Sequence, residues 1–226
     1  LVAVLESDIA NGYPHEDSLD DALAKADALP PGKGPILLIE AADNIGGGTP
    51  GDATGLLAPL LATGRNGVLA AIADREAVAQ CFEAGVGATV SLVIGGKTDS
   101  HHGEPMPFTG VVKSLSDGVF ELENKRSHMA SMGGTTYRMG RSAVVVNDQA
   151  RILLSERKTA PMDLGQYHSQ GLRPEDANYV VIKAAVSHRA AYDPIMRASF
   201  NVDSPGLCTS NLARLPYTKL TGKTIG

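Results

Sequence analysis

The densest chemistry in this chain lies in one loop, Asp43-Asn44-Ile45-Gly46-Gly47-Gly48-Thr49-Pro50-Gly51-Asp52-Ala53-Thr54. Consecutive glycines permit positive φ and a close backbone approach. Successive N–H groups in such a loop can form an anion-binding nest, and a helix N-terminus beyond it favours negative charge. Asp43 and Asn44 can exchange hydrogen bonds with a ligand, and Gly46, Gly47 and Gly48 can offer it main-chain amides. Asp52 or Thr54 can cap the helix that follows. The plainer alternative is a glycine-proline turn with Asp52 as an ordinary N-cap. The spelling Gly46-x-Gly48-x-x-Gly51 also matches a dinucleotide fingerprint, with Asp74 where a ribose-binding acid would lie. Against a nucleotide, the first glycine comes late after the preceding apolar run, Pro50 stiffens the turn, and Asp52 would oppose a pyrophosphate. No Gly-Lys-Ser/Thr follows, which excludes a P-loop.

A second group is cationic. Lys183, His188 and Arg189 follow a short apolar run and can face the same sheet edge, where arginine would grip a carboxylate with two bonds. A salt bridge from these cations to Asp43 or Asp52 is the structural alternative. Lys97, after Gly95-Gly96, offers another anion contact at a strand tip. The six histidines include no His-Glu-x-x-His pair, and His101-His102 sits in a polar stretch with Asp99 and Glu104 that reads as a solvated loop. No Gly-x-Ser-x-Gly elbow is present.

These residues need a frame, and the hydrophobic pattern supplies one. Ser18 or Asp17 can cap a helix over 19–28, with Asp20 and Asp21 in its first turn. Pro35–Glu40, Gly67–Ala73 and Ala88–Ile94 read as strands, the first two as continuous apolar runs. Between them, 53–62 reads as a helix with Pro59 near its first turns, and Asp74 caps a helix over 75–83 that Gly85 ends. The segment 35–95 therefore predicts a parallel β-α-β-α-β unit. The stretch 105–155 predicts antiparallel hairpins, one turning at Ser116-Asp117-Gly118 and one at Asn147-Asp148-Gln149. Tyr179–Lys183 predicts a strand and 187–197 a helix limited by Pro194. The expected fold class is α/β, a mixed sheet in one domain spanning 1–226.

A chain of 226 residues with 43% hydrophobic and 20% charged residues can build its own core. Its net charge of −5 argues against a nucleic-acid partner, and no apolar run approaches the length of a membrane span. Cys81 and Cys208 read as small buried hydrophobes, and so low a cysteine count fits a reducing cytoplasm. The chain opens on Leu1 rather than Met and stops at Gly226 without a tail, which fits a piece of something longer.

The ordered motifs resemble one family. The segment Asp43–Thr54 is similar to the Asp-Asn-Pro-Gly-Gly-Gly-x-Pro-Gly-Asp-x-Thr signature of the microcystinase C (MlrC) C-terminal domain, with Ile45 in place of proline. Asp74–Gly87, with Arg75 for a proline, and Leu92–Lys97 resemble its next motifs. Lys183 with His188-Arg189-Ala190 resembles a shortened Lys-Ser-x-x-His-Phe-Arg-Ala, and Val202-Asp203-Ser204-Pro205-Gly206 a late Val-Asp-x-Pro-Gly. The likeness spans about residues 20–217.

The resemblance implies a zinc-dependent peptidase. Its metal would be bound mainly by an N-terminal domain absent from this chain, and none of the residues named here would be a ligand to it. His188 and Arg189 would be the catalytic contribution. Asp43, Asn44, Gly46, Gly47, Gly48, Asp52, Lys97 and Lys183 would bind a small peptide or amide. The other readings are a non-catalytic module for an anion or peptide carboxylate, and a nucleotide-binding enzyme. Oligomeric state is open, a homo-oligomer included.

Overall fold

The computed structural model describes residues 14–215, 217 and 218. The two chain ends noted above lie outside that range. An eight-stranded sheet dominates. In chain order its strands are β1 (Ile36–Ile39), β2 (Val68–Ala73), β3 (Thr89–Ile94), β4 (Met106–Ser116), β7 (Ser142–Val146), β8 (Ala150–Ser155), β9 (Tyr179–Ile182) and β10 (Ala198–Asn201). They lie side by side as β10-β1-β9-β2-β8-β7-β4-β3. Strands β5 (Val119–Glu121) and β6 (Thr136–Arg138) make a separate antiparallel pair.

The alternation of each strand divides its side chains between two cores. On one face Ile36, Leu38, Ala70, Ile72, Ile152 and Val181 pack beneath helices α1 (Leu19–Asp27), α2 (Leu57–Ala62) and α3 (Arg75–Ala84). On the other, Leu37, Ile39, Leu69, Leu153 and Val180 pack against Phe120 and helices α4 (His128–Gly133), α5 (Gly165–His168) and α6 (Arg189–Tyr192), with Tyr167 and Tyr192 fully enclosed. Because both faces are covered, β1, β2 and β9 carry no charged residue. Among the described residues no helix is long and apolar enough to cross a membrane.

The mixed α/β class is as expected, and β1 and β2 run in parallel, although β9 lies between them. The third strand of the expected parallel unit departs from it. β3 pairs with β4 in antiparallel fashion at the far edge, so three successive antiparallel pairings separate it from β8 and β2. The eleven-residue β4 makes this possible: its first half pairs with β3, its second half with β7, and a bulge falls between Val112 and Ser114. The hairpin at 147–149 forms as predicted. The one at 116–118 does not. Gly118 adopts φ 66 and its carbonyl accepts from Met139 N, so the turn sends β5 off the sheet to pair with β6.

Two helices are shorter than their patterns predict. The helix expected over 53–62 begins at Leu57, and the amides of Ala53 and Leu56 ahead of it are taken up by the carboxylates of Asp43 and Glu40. Pro59 then falls in the first turn, where its missing N–H is harmless. The helix expected over 187–197 closes at Tyr192. Pro194 cannot extend the ladder, and Arg197 N turns away to Pro35 O. Ser18 and Asp74 cap α1 and α3 as predicted, accepting from Asp21 N and Ala77 N.

Candidate functional site

The carboxyl ends of β1 and β9 lie in register, Ile39 beside Ile182, so the next residues, Glu40 and Lys183, emerge side by side. Both are buried. The Lys183 ammonium donates to Glu40 Oε2 at 2.6 Å and to the Ala53 carbonyl at 2.7 Å, and lies 3.1 Å from Asp43 Oδ2. Three partners match the three donors of an ammonium. Asp43 takes more: Gly51 N at 2.9 Å and Ala53 N at 2.8 Å both donate to it. Burial works to raise the Asp43 carboxyl, but Lys183 and these two amides outweigh it and hold it below the usual range. For Glu40, burial dominates and the nearby charge of Asp43 adds to it, so this carboxyl is raised. Burial would lower the Lys183 ammonium, yet its two carboxylates raise it.

The glycine loop is therefore filled from within. Asp43, expected to bond a ligand, instead accepts from the amides of Gly51 and Ala53. Asn44 Oδ1 accepts from Gly46 N at 3.1 Å, while Gly47 N and Gly48 N donate to the carbonyls of Asn44 and Ile45. Lys158, which no sequence pattern singled out, holds the loop's other side by donating to the carbonyls of Gly48 and Thr49 at 2.8 and 2.6 Å. Gly46, Gly47 and Gly48 remain exposed at the rim. A Cβ at Gly47 would lie 2.6 Å from Cys208 Sγ, so that side chain would have to shift.

The same rim is tied to β3 through Asp52. Its Oδ2 accepts from Lys97 N, Thr98 N and Thr98 Oγ1, all near 3.0 Å, and its carbonyl accepts from Gly96 N at 2.7 Å. Asp52 is thus not the N-cap of α2, and neither is Thr54, whose hydroxyl donates to the Glu104 carbonyl at 2.6 Å. The Lys97 amine, expected as an anion contact, is held by Asp74 and Glu76 at about 3.0 Å. Burial alone would lower it, but those two carboxylates raise it. Asp74 also accepts from Gly95 N at 2.9 Å, so it is committed to helix capping and to this turn, with no lone pair turned toward a ribose.

Of the remaining polar candidates, His102 is buried rather than solvated. Its Nδ1 contacts Asp99 at 2.8 Å and its Nε2 accepts from Leu207 N at 3.3 Å. Cys81 is buried in the core as predicted, and burial pushes its thiol up to about 11. Cys208 is only half-buried, beside Gly47.

His188 and Arg189 are placed differently from Lys183. They line a cavity of about 360 Å³ at the ends of β1, β9 and β10, together with Ile39, Ala41, Val186 and Glu16. His188 is 3% exposed and its Nδ1 has no hydrogen-bond partner among the described residues. Burial, with Arg189 adding to it and Asp193 opposing, holds the imidazole below its ordinary value and so neutral. Arg189 is largely exposed, and its Nε donates to Asp193 at 3.2 Å. Lys183 shares the rim, its carbonyl accepting from Ile45 N at 3.2 Å, but His188 and Arg189 line the cavity and Lys183 does not. Glu16 and Glu40 were not foreseen. Glu40 had a signal, a charged residue ending an apolar strand, which burial obliges to find a partner. Glu16 had none.

Known proteins place this arrangement in context. A family model described as MlrC C-terminus matches residues 38–219. Microcystinase C from Sphingomonas sp is 27% identical over 195 residues, covering 86% of this chain and 36% of that protein. The crystal structure of a candidate metallopeptidase from Mesorhizobium sp. BNC1 superposes with a TM-score of 0.77 at 24% identity, covering 92% of this chain and 40% of its own, and so shares the fold. The chain spans about two fifths of the length of each of these two proteins. With the model matched over most of its length, and with the glycine loop, the β3 turn and the His188 segment all meeting at one rim, the chain belongs to the MlrC C-terminus family.

Proposed function

We propose that this chain forms the substrate-binding wall of a zinc-dependent hydrolase of the microcystinase C type, acting on small peptides or related amides. The observation that carries the reading is the His188 cavity: a neutral, buried imidazole with an unpartnered Nδ1, beside Arg189, at the strand ends where α/β sheets bind ligands. His188 can take up or hold a proton at Nδ1, and Arg189 can neutralise a developing negative charge. In this reading Asp43, Lys183 and Glu40 are positioning residues, and Asn44, Gly46, Gly47, Gly48 and Asp52 shape the rim rather than supply free donors.

The described residues do not fit a metal site of their own, since no group of three or more His, Cys, Asp or Glu side chains among them could hold an ion. The metal is then held by protein outside the described residues, in a partner domain of the same protein, and no step is assigned to it. The test is His188→Asn in the longer protein that contains this chain. Turnover of a peptide substrate should fall by roughly 10²–10⁴, the usual contribution of a positioned acid or base, with substrate binding retained. Undiminished turnover removes the assignment. Lost binding in a protein that never turns over a peptide favours a plain binding module.

A further inference from the structure

One half-buried carboxylate in the His188 cavity has no role in the reading above. Glu16 lies on the cavity wall, next to the point where Asp17 bridges to Val202. Ser210 lines the same cavity. Among the described residues no cation forms an ion pair with it. Arg214, whose charge it feels, is gripped by Asp203 at 2.7 and 3.0 Å. Lys25 and His15 are engaged by Asp17, and Arg189 by Asp193. Burial, with the charge of Asp203 adding to it and Arg214 opposing, raises the Glu16 carboxyl above its usual range. A carboxylate withdrawn from water without a counter-ion is poorly stabilised, and gains when a cation arrives beside it.

The rest of the cavity limits what that cation can belong to. Ile39, Ala41, Ala185 and Val186 give it an apolar lining, and about 360 Å³ is room for a small ligand or one end of a larger one. We propose that this cavity binds the amino-terminal residue of a peptide, with its ammonium group against Glu16 and its side chain on the apolar lining. His188 and Arg189 are then left to the carbonyl that follows. The peptide part rests on the function proposed above, whereas the ammonium part rests on Glu16 alone.

Calorimetric titration of this chain with L-leucinamide, N-acetyl-L-leucinamide, leucyl-glycine and free L-leucine tests it. Leucinamide and leucyl-glycine should bind at least about tenfold more tightly than the acetylated amide, the scale of one hydrogen bond to a charged group. Glu16→Gln should bring that ratio to about one. Equal affinity for capped and uncapped amides, no binding of leucinamide, or a ratio that survives Glu16→Gln overturns the ammonium site. Tighter binding of leucine than of leucyl-glycine overturns the peptide assignment in favour of a free amino acid. The comparison in the unaltered chain needs no variant to fold. It also separates the two readings: a preference for free amino groups in a protein that hydrolyses nothing sinks only the proposed function, and hydrolysis without that preference sinks only the ammonium site.

Discussion

Lys183 shows how a residue that looks like a ligand contact can be fully committed within the protein. Its side chain is 4% exposed, and its ammonium lies between Glu40, Asp43 and the Ala53 carbonyl. Removing it would leave two buried carboxylates facing one another, so Lys183→Met should destabilise the chain by about 3–5 kcal/mol, the usual consequence of breaking a buried ion pair from one side. Adding Glu40→Gln to that variant should recover part of the loss, because one of the two stranded charges is gone. Urea denaturation of the single and double variants checks this, and a single variant as stable as the parent would show that the cluster is not closed in solution. The residue types of this site were legible in the sequence, but their allegiance was not. Lys183 next to Asp43 was visible as an alternative, whereas the register that puts Glu40 beside Lys183 depends on β9 entering the sheet next to β1, a pairing between residues far apart in the chain.

At the scale of elements, three turns converge on the rim: the glycine loop after β1, the capped entry to α3 after β2, and the Gly95-Gly96 turn after β3. Gly95 carries much of this convergence. It sits at φ 60, donates to Asp74, and packs so closely on the Asp52 carbonyl that a Cβ could not be accommodated. Gly95→Ala should cost about 1–3 kcal/mol through left-handed strain, with the backbone clash adding to it. Thermal melts would read the loss, and an unchanged midpoint would mean the turn can rearrange freely. Periodicity located nearly every strand, since apolar runs such as Ile36–Ile39 and Tyr179–Ile182 have few alternatives. It could not see that β4 bends at Val112 and serves two neighbours, because a bulge leaves no mark in alternation. Nor could it see that the Ala53 and Leu56 amides would find buried carboxylates as partners.

At the scale of the whole molecule, the sheet separates two cores and its protection should be graded. β1, β9, β2 and β8 lie at the centre with both faces covered, whereas β3 is an edge and β5 pairs only with β6 outside the main sheet. Native-state hydrogen exchange should be slowest at amides of Leu37, Leu38, Val180 and Leu153, and faster by orders of magnitude at Phe120 and Tyr137, since peripheral units open without global unfolding. Uniform protection across both sheets would mean that the small pair opens only with the whole.

The carboxylate inside the glycine loop has a consequence for selectivity. Asp43 is tethered to the amides it holds, and a tethered group behaves as though present at about millimolar concentration or above. A free phosphate or pyrophosphate reaching this edge would meet a rival that never diffuses away. A loop whose spelling matches a nucleotide fingerprint thus meets any such anion with two of its amides already engaged by its own first residue.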